Sequence, residues 1–137
     1  MPALYADASA LVRLVAEETQ TEELAAAIDG AELLSSELVS AEVARALRRI
    51  ATEDSSVDLG SLLGRSEELL ETVTTVPVES LMLEAASELP EPALRTLDAI
   101  HVVTALYLEP IDAFVTYDVR QAASARREGL RTVAPGA

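Results

Sequence analysis

Short β-like runs alternate with helix-patterned segments along almost the whole chain, and this alternation most constrains the fold. Residues 3–6 read as a buried strand, followed by a helix over 9–17 with Leu11, Leu14 and Val15 on one side. A helix over 21–29 stops at Gly30, a residue suited to the left-handed turn that ends helices. A strand over 32–35 comes next. Ser36 then caps a helix over 37–52, in which Val39, Val43, Ala46, Leu47 and Ile50 recur at helical spacing. After a polar break at 53–56, a helix over 57–70 carries Gly60 and Gly64 on one side, read as a weak spot or as a close helix or dimer contact. A strand over 73–78 and a helix over 79–88 precede the punctuation of Pro90 and Pro92. The helix over 97–108 is apolar nearly all round, so it is expected to be buried. A strand over 113–116, a helix over 119–128 ended by Gly129, and a final strand over 131–134 complete the pattern. Strands followed by helices imply a parallel sheet covered on both faces, an α/β fold with three α/β/α layers around four to five parallel strands. No linker or repeat divides the chain, so residues 1–137 are read as a single domain.

Composition narrows what such a domain does. Half of the residues are hydrophobic but only 3% are aromatic, so the core must be aliphatic and a stacking platform for bases is unexpected. Cysteine is absent, which excludes disulfides, zinc–thiolate centres and thiol nucleophiles. No basic segment followed by an apolar one opens the chain, and the most apolar stretch, 100–108, is too short to span a bilayer. A cytoplasmic location without membrane contact is the expectation. The net charge of −14 argues against broad nucleic-acid binding, which needs a positive surface. A bound cation or a basic partner protein would soften that objection.

Four acids stand out by position. Asp7 ends the first strand and Asp118 lies just past the fourth, where open parallel sheets bind ligands. Each also reads as a helix N-cap. Asp98 sits within an apolar helix, where an unpaired carboxylate is costly, although the first helical turn would favour it. Glu42 borders the apolar face of its helix, with Arg45 and Arg49 beside it, and reads equally as half of a surface ion pair. Several carboxylates sharing a crevice stay ionised only with a cation, and hard divalent ions such as Mg²⁺ or Mn²⁺ suit oxygen ligands. An activated water beside a phosphate, hence phosphodiester hydrolysis, is the chemistry of such a site.

The segments 4–11, 40–47, 94–101 and 114–118 carry these acids in an order that resembles the PIN-domain family, and within it the toxins of VapBC-type toxin–antitoxin pairs. The resemblance implies a PIN-like fold and a metal-dependent endoribonuclease. It assigns Asp7, Glu42, Asp98 and Asp118 as metal-binding and catalytic residues, one of them serving as the base that orients the attacking water. Ser9 and Thr116 support them through their hydroxyl groups. The implied cofactor is Mg²⁺, with Mn²⁺ as the alternative. Some PIN domains carry a further acid shortly after the fourth; here residues 119–123 hold none, so one firmly bound ion is expected. The implied partners are an RNA substrate and a cognate antitoxin, in a homodimer or a toxin–antitoxin hetero-oligomer. Arg45, Arg49 and Arg120 are candidate RNA contacts, with solvated surface as their bland reading. His101, one turn beyond Asp98, reads as a packing histidine with satisfied ring nitrogens. The rival readings are a catalytically silent PIN-like module that only binds a partner, and another metal-dependent phosphohydrolase. Acid-phosphatase chemistry is disfavoured because Ala8-Ser9, not a second Asp, follows Asp7.

Overall fold

The computed structural model describes residues 1–16 and 19–137. In chain order the elements are β1 (Ala3–Ala6), α1 (Ala8–Ala16), α2 (Thr21–Ile28), β2 (Glu32–Ser36), α3 (Val39–Glu53), α4 (Leu59–Glu71), β3 (Val73–Val76), α5 (Ser80–Ser87), α6 (Thr96–Tyr107), β4 (Ala113–Val115), α7 (Val119–Arg127) and β5 (Thr132–Val133). The strands form one parallel sheet in the order β3-β2-β1-β4-β5.

Strand periodicity sorts the core into two layers. Leu4, Ala6, Leu33, Val73, Ala113 and Val115 face one side, where they meet Leu11 and Val15 of α1, Leu24 of α2, Val43 and Leu47 of α3 and Leu62 of α4. Tyr5, Leu34 and Phe114 face the other, against Val102 and Ala105 of α6 and Ala125 of α7. Successive strand residues point to opposite faces, so both faces of each central strand are apolar and both are covered. The expected three-layer α/β/α architecture is realised, with five strands. Helix α6, expected to be buried on most sides, has an unbroken buried run from Ala99 to Ala105.

Several boundaries differ from the sequence reading, each for a local reason. Ser36 does not cap α3: it is the last residue of β2, its Oγ accepts from the Leu38 amide, and the helix begins at Val39. Strand β3 ends at Val76, because Pro77 lacks the N–H that a ladder requires. Helix α4 begins at Leu59, two residues later than expected, with extended Asp58 before it. The expected end of the first helix at Glu17 lies outside the described residues. Gly64 has open space where a Cβ would stand and Gly60 meets only the Asp58 carboxylate at 3.6 Å, so the fold contains no close helix contact at this pair. Gly30 and Gly129 end α2 and α7 as expected, with φ of 76° and 94°.

The order of the strands fixes where a site can form. The chain runs outward from β1 through β2 to β3, then returns to place β4 and β5 on the other side of β1. Connections leave β1 and β4 toward opposite faces, which opens a crevice beyond their carboxyl ends.

The aliphatic layer against α3 is one of the two layers of the core. Leu47 is fully buried there, and Leu47→Ala is expected to cost about 2–5 kcal/mol, a large share of a small domain's total. A lowered midpoint of urea unfolding with an unchanged slope would register this loss.

Candidate active site

Asp7 follows β1 directly and is 3% exposed. Its Oδ1 accepts hydrogen bonds from Ser9 Oγ at 2.7 Å and from the Ala10 amide at 3.1 Å; its Oδ2 accepts from Thr116 Oγ1 at 2.6 Å. The Ala10 bond is a helix cap on α1, so the bland reading of Asp7 is realised together with its place at the crevice. Burial pushes its carboxyl up from the usual range, and the Thr116, Ser9 and Ala10 donors oppose that shift.

Asp118 plays the same double part at the neighbouring strand. It caps α7, its Oδ1 accepting from the Arg120 and Gln121 amides at 2.9 and 3.1 Å. Thr116 Oγ1 in turn accepts from the Asp118 amide at 3.0 Å and lies 3.1 Å from Gln121 Oε1, its single hydrogen being given to Asp7. Gln121 is fully buried and donates through Nε2 to the Asp98 carbonyl at 3.2 Å, which ties α7 to the start of α6.

Asp98 is half-buried in the first turn of α6. Its carboxyl is raised above the ordinary range, first by burial and then by the negative charges of Asp118 and Asp7. Three of the four acids therefore act on one another through the same space. Glu42 enters from the first turn of α3. Its partner is not an arginine, as the ion-pair reading had it, but His101, whose Nε2 lies 2.6 Å from Oε1.

These elements enclose a cleft of about 510 Å³. Glu42, Asp98 and Asp118 line it, together with Ser9, Arg13, Arg45, Arg49 and Arg95. Asp7 is bonded to the lining Ser9 and lies buried beside it. Arg120 is exposed and is not among the cleft-lining residues. Arg13 and Arg95 escaped the sequence reading. Arg13 had a usable signal, because it stands four residues after Ser9 on α1 and so shares its helix face. The role of His101 had none, since its partners Tyr5 and Glu42 are 96 and 59 residues away.

The donors are chemically suited to a hard divalent cation. They are carboxylate and hydroxyl oxygens, and the sole imidazole has both nitrogens engaged within the protein. Among the described residues no three acid or histidine side chains form a ready-made ligand group. Asp7 commits both oxygens, and Asp118 and Glu42 commit one each, to donors of the protein itself.

Two measurements test this arrangement. Asp118→Ala removes the α7 cap and is expected to cost about 1 kcal/mol, whereas Asp118→Asn keeps an acceptor and should lose much less; thermal melts of both variants compare them. Asp98 titrates above its unfolded value, so the folded state binds its proton more tightly. Stability at this group is full below the ordinary carboxylate pKa and is lost as pH rises through the raised one. In chelator-containing buffer, Asp98→Asn is therefore expected to melt higher than the unaltered protein at pH 7, with the gap closing toward pH 3.

Comparison with known proteins agrees with the geometry. The PIN-domain family model matches residues 4–127. Ribonuclease VapC35 of Mycobacterium tuberculosis is 34% identical, covering 97% of this chain and 97% of its own length. Among solved structures, M. tuberculosis VapC20, described as a sarcin–ricin loop cleaving toxin, superposes with a TM-score of 0.70 at 16% identity, over 96% of this chain and 99% of that one. A toxin–antitoxin complex from Klebsiella pneumoniae superposes with a TM-score of 0.64 at 19% identity, over 97% of each chain. The structural likenesses concern the fold, but the family match and the 34% identity run along nearly the whole sequence, and the chain belongs to the PIN-domain family, in its VapC group.

Proposed function

We propose that this protein is a metal-dependent endoribonuclease, the toxin of a type II toxin–antitoxin pair. One observation carries the reading: three carboxylates and four arginines line a single cleft at the carboxyl ends of β1 and β4. Acids alone would repel a polyanion, and arginines alone would bind one without cutting it. Both together suit the hydrolysis of a phosphodiester.

Asp7, Glu42, Asp98 and Asp118 would hold one Mg²⁺, with Mn²⁺ as the alternative. When bound, that ion offsets charge on the phosphoryl oxygens and makes a nearby water more acidic. The chain's own residues do the rest. Arg13, Arg45, Arg49 and Arg95 are placed to grip phosphates on either side of the scissile bond. Arg45 and Arg49 also border a second depression of about 210 Å³ with Arg48, which extends the basic track along α3. One of the carboxylates orients the attacking water and takes its proton. Water adds to phosphorus, the bond to the leaving ribose oxygen breaks, and that oxygen is protonated. Ser9 and Thr116 keep Asp7 from turning away through their hydroxyl bonds.

VapC35 is named a ribonuclease and the Klebsiella structure is of a toxin with its antitoxin. Those names support RNA as substrate and an antitoxin as partner here, in a homodimer or a hetero-oligomer. An antitoxin that lays a basic side chain over the carboxylates would silence the cleft and fit the net charge of −14. Among the described residues no helix is long and apolar enough to cross a membrane, and we assign the protein to the cytoplasm, where both partners reside.

The test is cleavage of structured and single-stranded RNAs by the protein and by Asp7→Asn and Asp98→Asn, with Mg²⁺, with Mn²⁺ and with chelator. An ion that stabilises the transition state by several kcal/mol, at about 1.4 kcal/mol per tenfold, predicts a loss of roughly 100-fold or more in either variant and with chelator. Equal cleavage by all three proteins would remove the site, and cleavage undiminished by chelator would remove the metal.

A further inference from the structure

His101 is the chain's only histidine and is 1% exposed. Its Nδ1 lies 2.7 Å from the hydroxyl of Tyr5, which is itself fully buried. Its Nε2 lies 2.6 Å from Glu42 Oε1. Tyr5 stacks on Phe114 at 5.2 Å between ring centroids and meets the imidazole edge-on at 5.8 Å. One continuous set of contacts thus runs from β4 through β1 and α6 to α3. It links the two helical layers, since α6 and α3 lie on opposite faces of the sheet.

The hydrogen positions follow from the acceptors. A carboxylate oxygen only accepts, so Nε2 carries the hydrogen on the Glu42 bond. In a neutral ring Nδ1 then accepts, and the Tyr5 O–H donates to it. Burial pushes the Tyr5 phenol up, which keeps it a donor. The alternative partners of Glu42 are Arg45 and Arg49, three and seven residues on along the same helix and lining the same cleft. A guanidinium would neutralise Glu42 and draw it toward the surface. The imidazole hydrogen bond instead fixes one oxygen of Glu42 in place.

We propose that His101 and Tyr5 are positioning residues: the imidazole, held by the tyrosine hydroxyl at one nitrogen, fixes one oxygen of Glu42 at the cleft, where the carboxylate would meet a divalent ion. The inference rests on reading Glu42 as a metal ligand. Outer-shell partners of this kind alter metal affinity by roughly 10–100-fold when removed.

The experiment measures Mn²⁺ binding to the RNA-free protein by titration with paramagnetic detection of the free ion. His101→Ala and Glu42→Gln are each expected to weaken binding by about 10–100-fold. His101→Gln, which keeps an N–H donor near the Nε2 position, should recover part of the loss, and Tyr5→Phe should lose less than His101→Ala. Weakened binding in Glu42→Gln beside unchanged binding in His101→Ala would overturn the bridge and leave Glu42 a ligand. Unchanged binding in Glu42→Gln would overturn both. Nitrogen-15 spectra of the single imidazole in the unaltered protein give a readout free of any folding defect. A hydrogen on Nε2, shifted by its bond to the Glu42 carboxylate, is expected; a ring with bare Nε2 overturns the proposal.

Discussion

Four helices begin at one edge of the sheet, and each brings a carboxylate to the same crevice in its cap or first turn. Asp7 caps α1, Glu42 lies in the first turn of α3, Asp98 in the first turn of α6, and Asp118 caps α7. For α1, α3 and α7, each of which follows a strand, the parallel sheet imposes this; α6 follows α5 and is brought to the edge by the segment before it. The strands of the sheet all end on one side, so a helix that follows a strand begins there, with its positive dipole end and its unsatisfied N–H groups facing the crevice. Each such end favours a negative charge by about 0.3–1 kcal/mol. Together they ease the placing of acids at one edge of a small sheet. The relief is partial, because Asp98 is still raised by the charges of Asp118 and Asp7. What remains is negative charge concentrated at this edge, placed there by backbone direction as much as by side chains.

The same edge is also where the sheet is locked. Thr116 touches Asp7, Ser9, Gln121 and the Asp118 amide, and Ser35 donates to the Ala6 carbonyl at 2.6 Å. Thr116, Asp7, Gln121 and Ser35 are buried polar groups, each with a partner, beside a core that is aliphatic except for the stacked pair Tyr5 and Phe114. Removing one leaves another unsatisfied in a water-poor place, at about 1–3 kcal/mol. Stability and site geometry therefore depend on one network. The rigidity that fixes the carboxylates belongs to the protein's own hydrogen bonds.

How much of this was legible in the sequence follows from the range of each interaction. The strand–helix alternation was legible because period 2 and period 3.6 are local, and it yielded the layers and the parallel sheet. Asp7 and Asp118 were legible because strand ends are local too. Their helix-cap readings competed with the site reading, and the fold makes them compatible: a cap at the carboxyl edge is a residue of the crevice. Asp98 announced itself by its apolar neighbours. Glu42 did not, since its helix was read as starting at residue 37; the start at Val39 is what puts it in the first turn. Nothing local pairs Glu42 with His101, which lies on the opposite layer. Ser36 misled for a related reason, because a serine ahead of a helix looks the same whether it caps the helix or closes the strand before it.

The charge balance is the remaining tension, and geometry resolves it. A chain at −14 should repel RNA, yet four of its ten cations line the cleft beside three of its 24 acids. Screening at physiological salt limits the reach of exposed charge to about 8 Å, so distant acids matter little to a phosphate already in the cleft. They matter to encounter, which they slow, and to partners, which they select. An acidic exterior around a cleft lined by four arginines disfavours indiscriminate binding to nucleic acid. It favours an RNA whose shape brings one phosphate deep between α1, α3 and α6, and a basic protein segment that covers the rest. Selectivity on this reading comes from excluding most polyanions first, and only then from contacts with one.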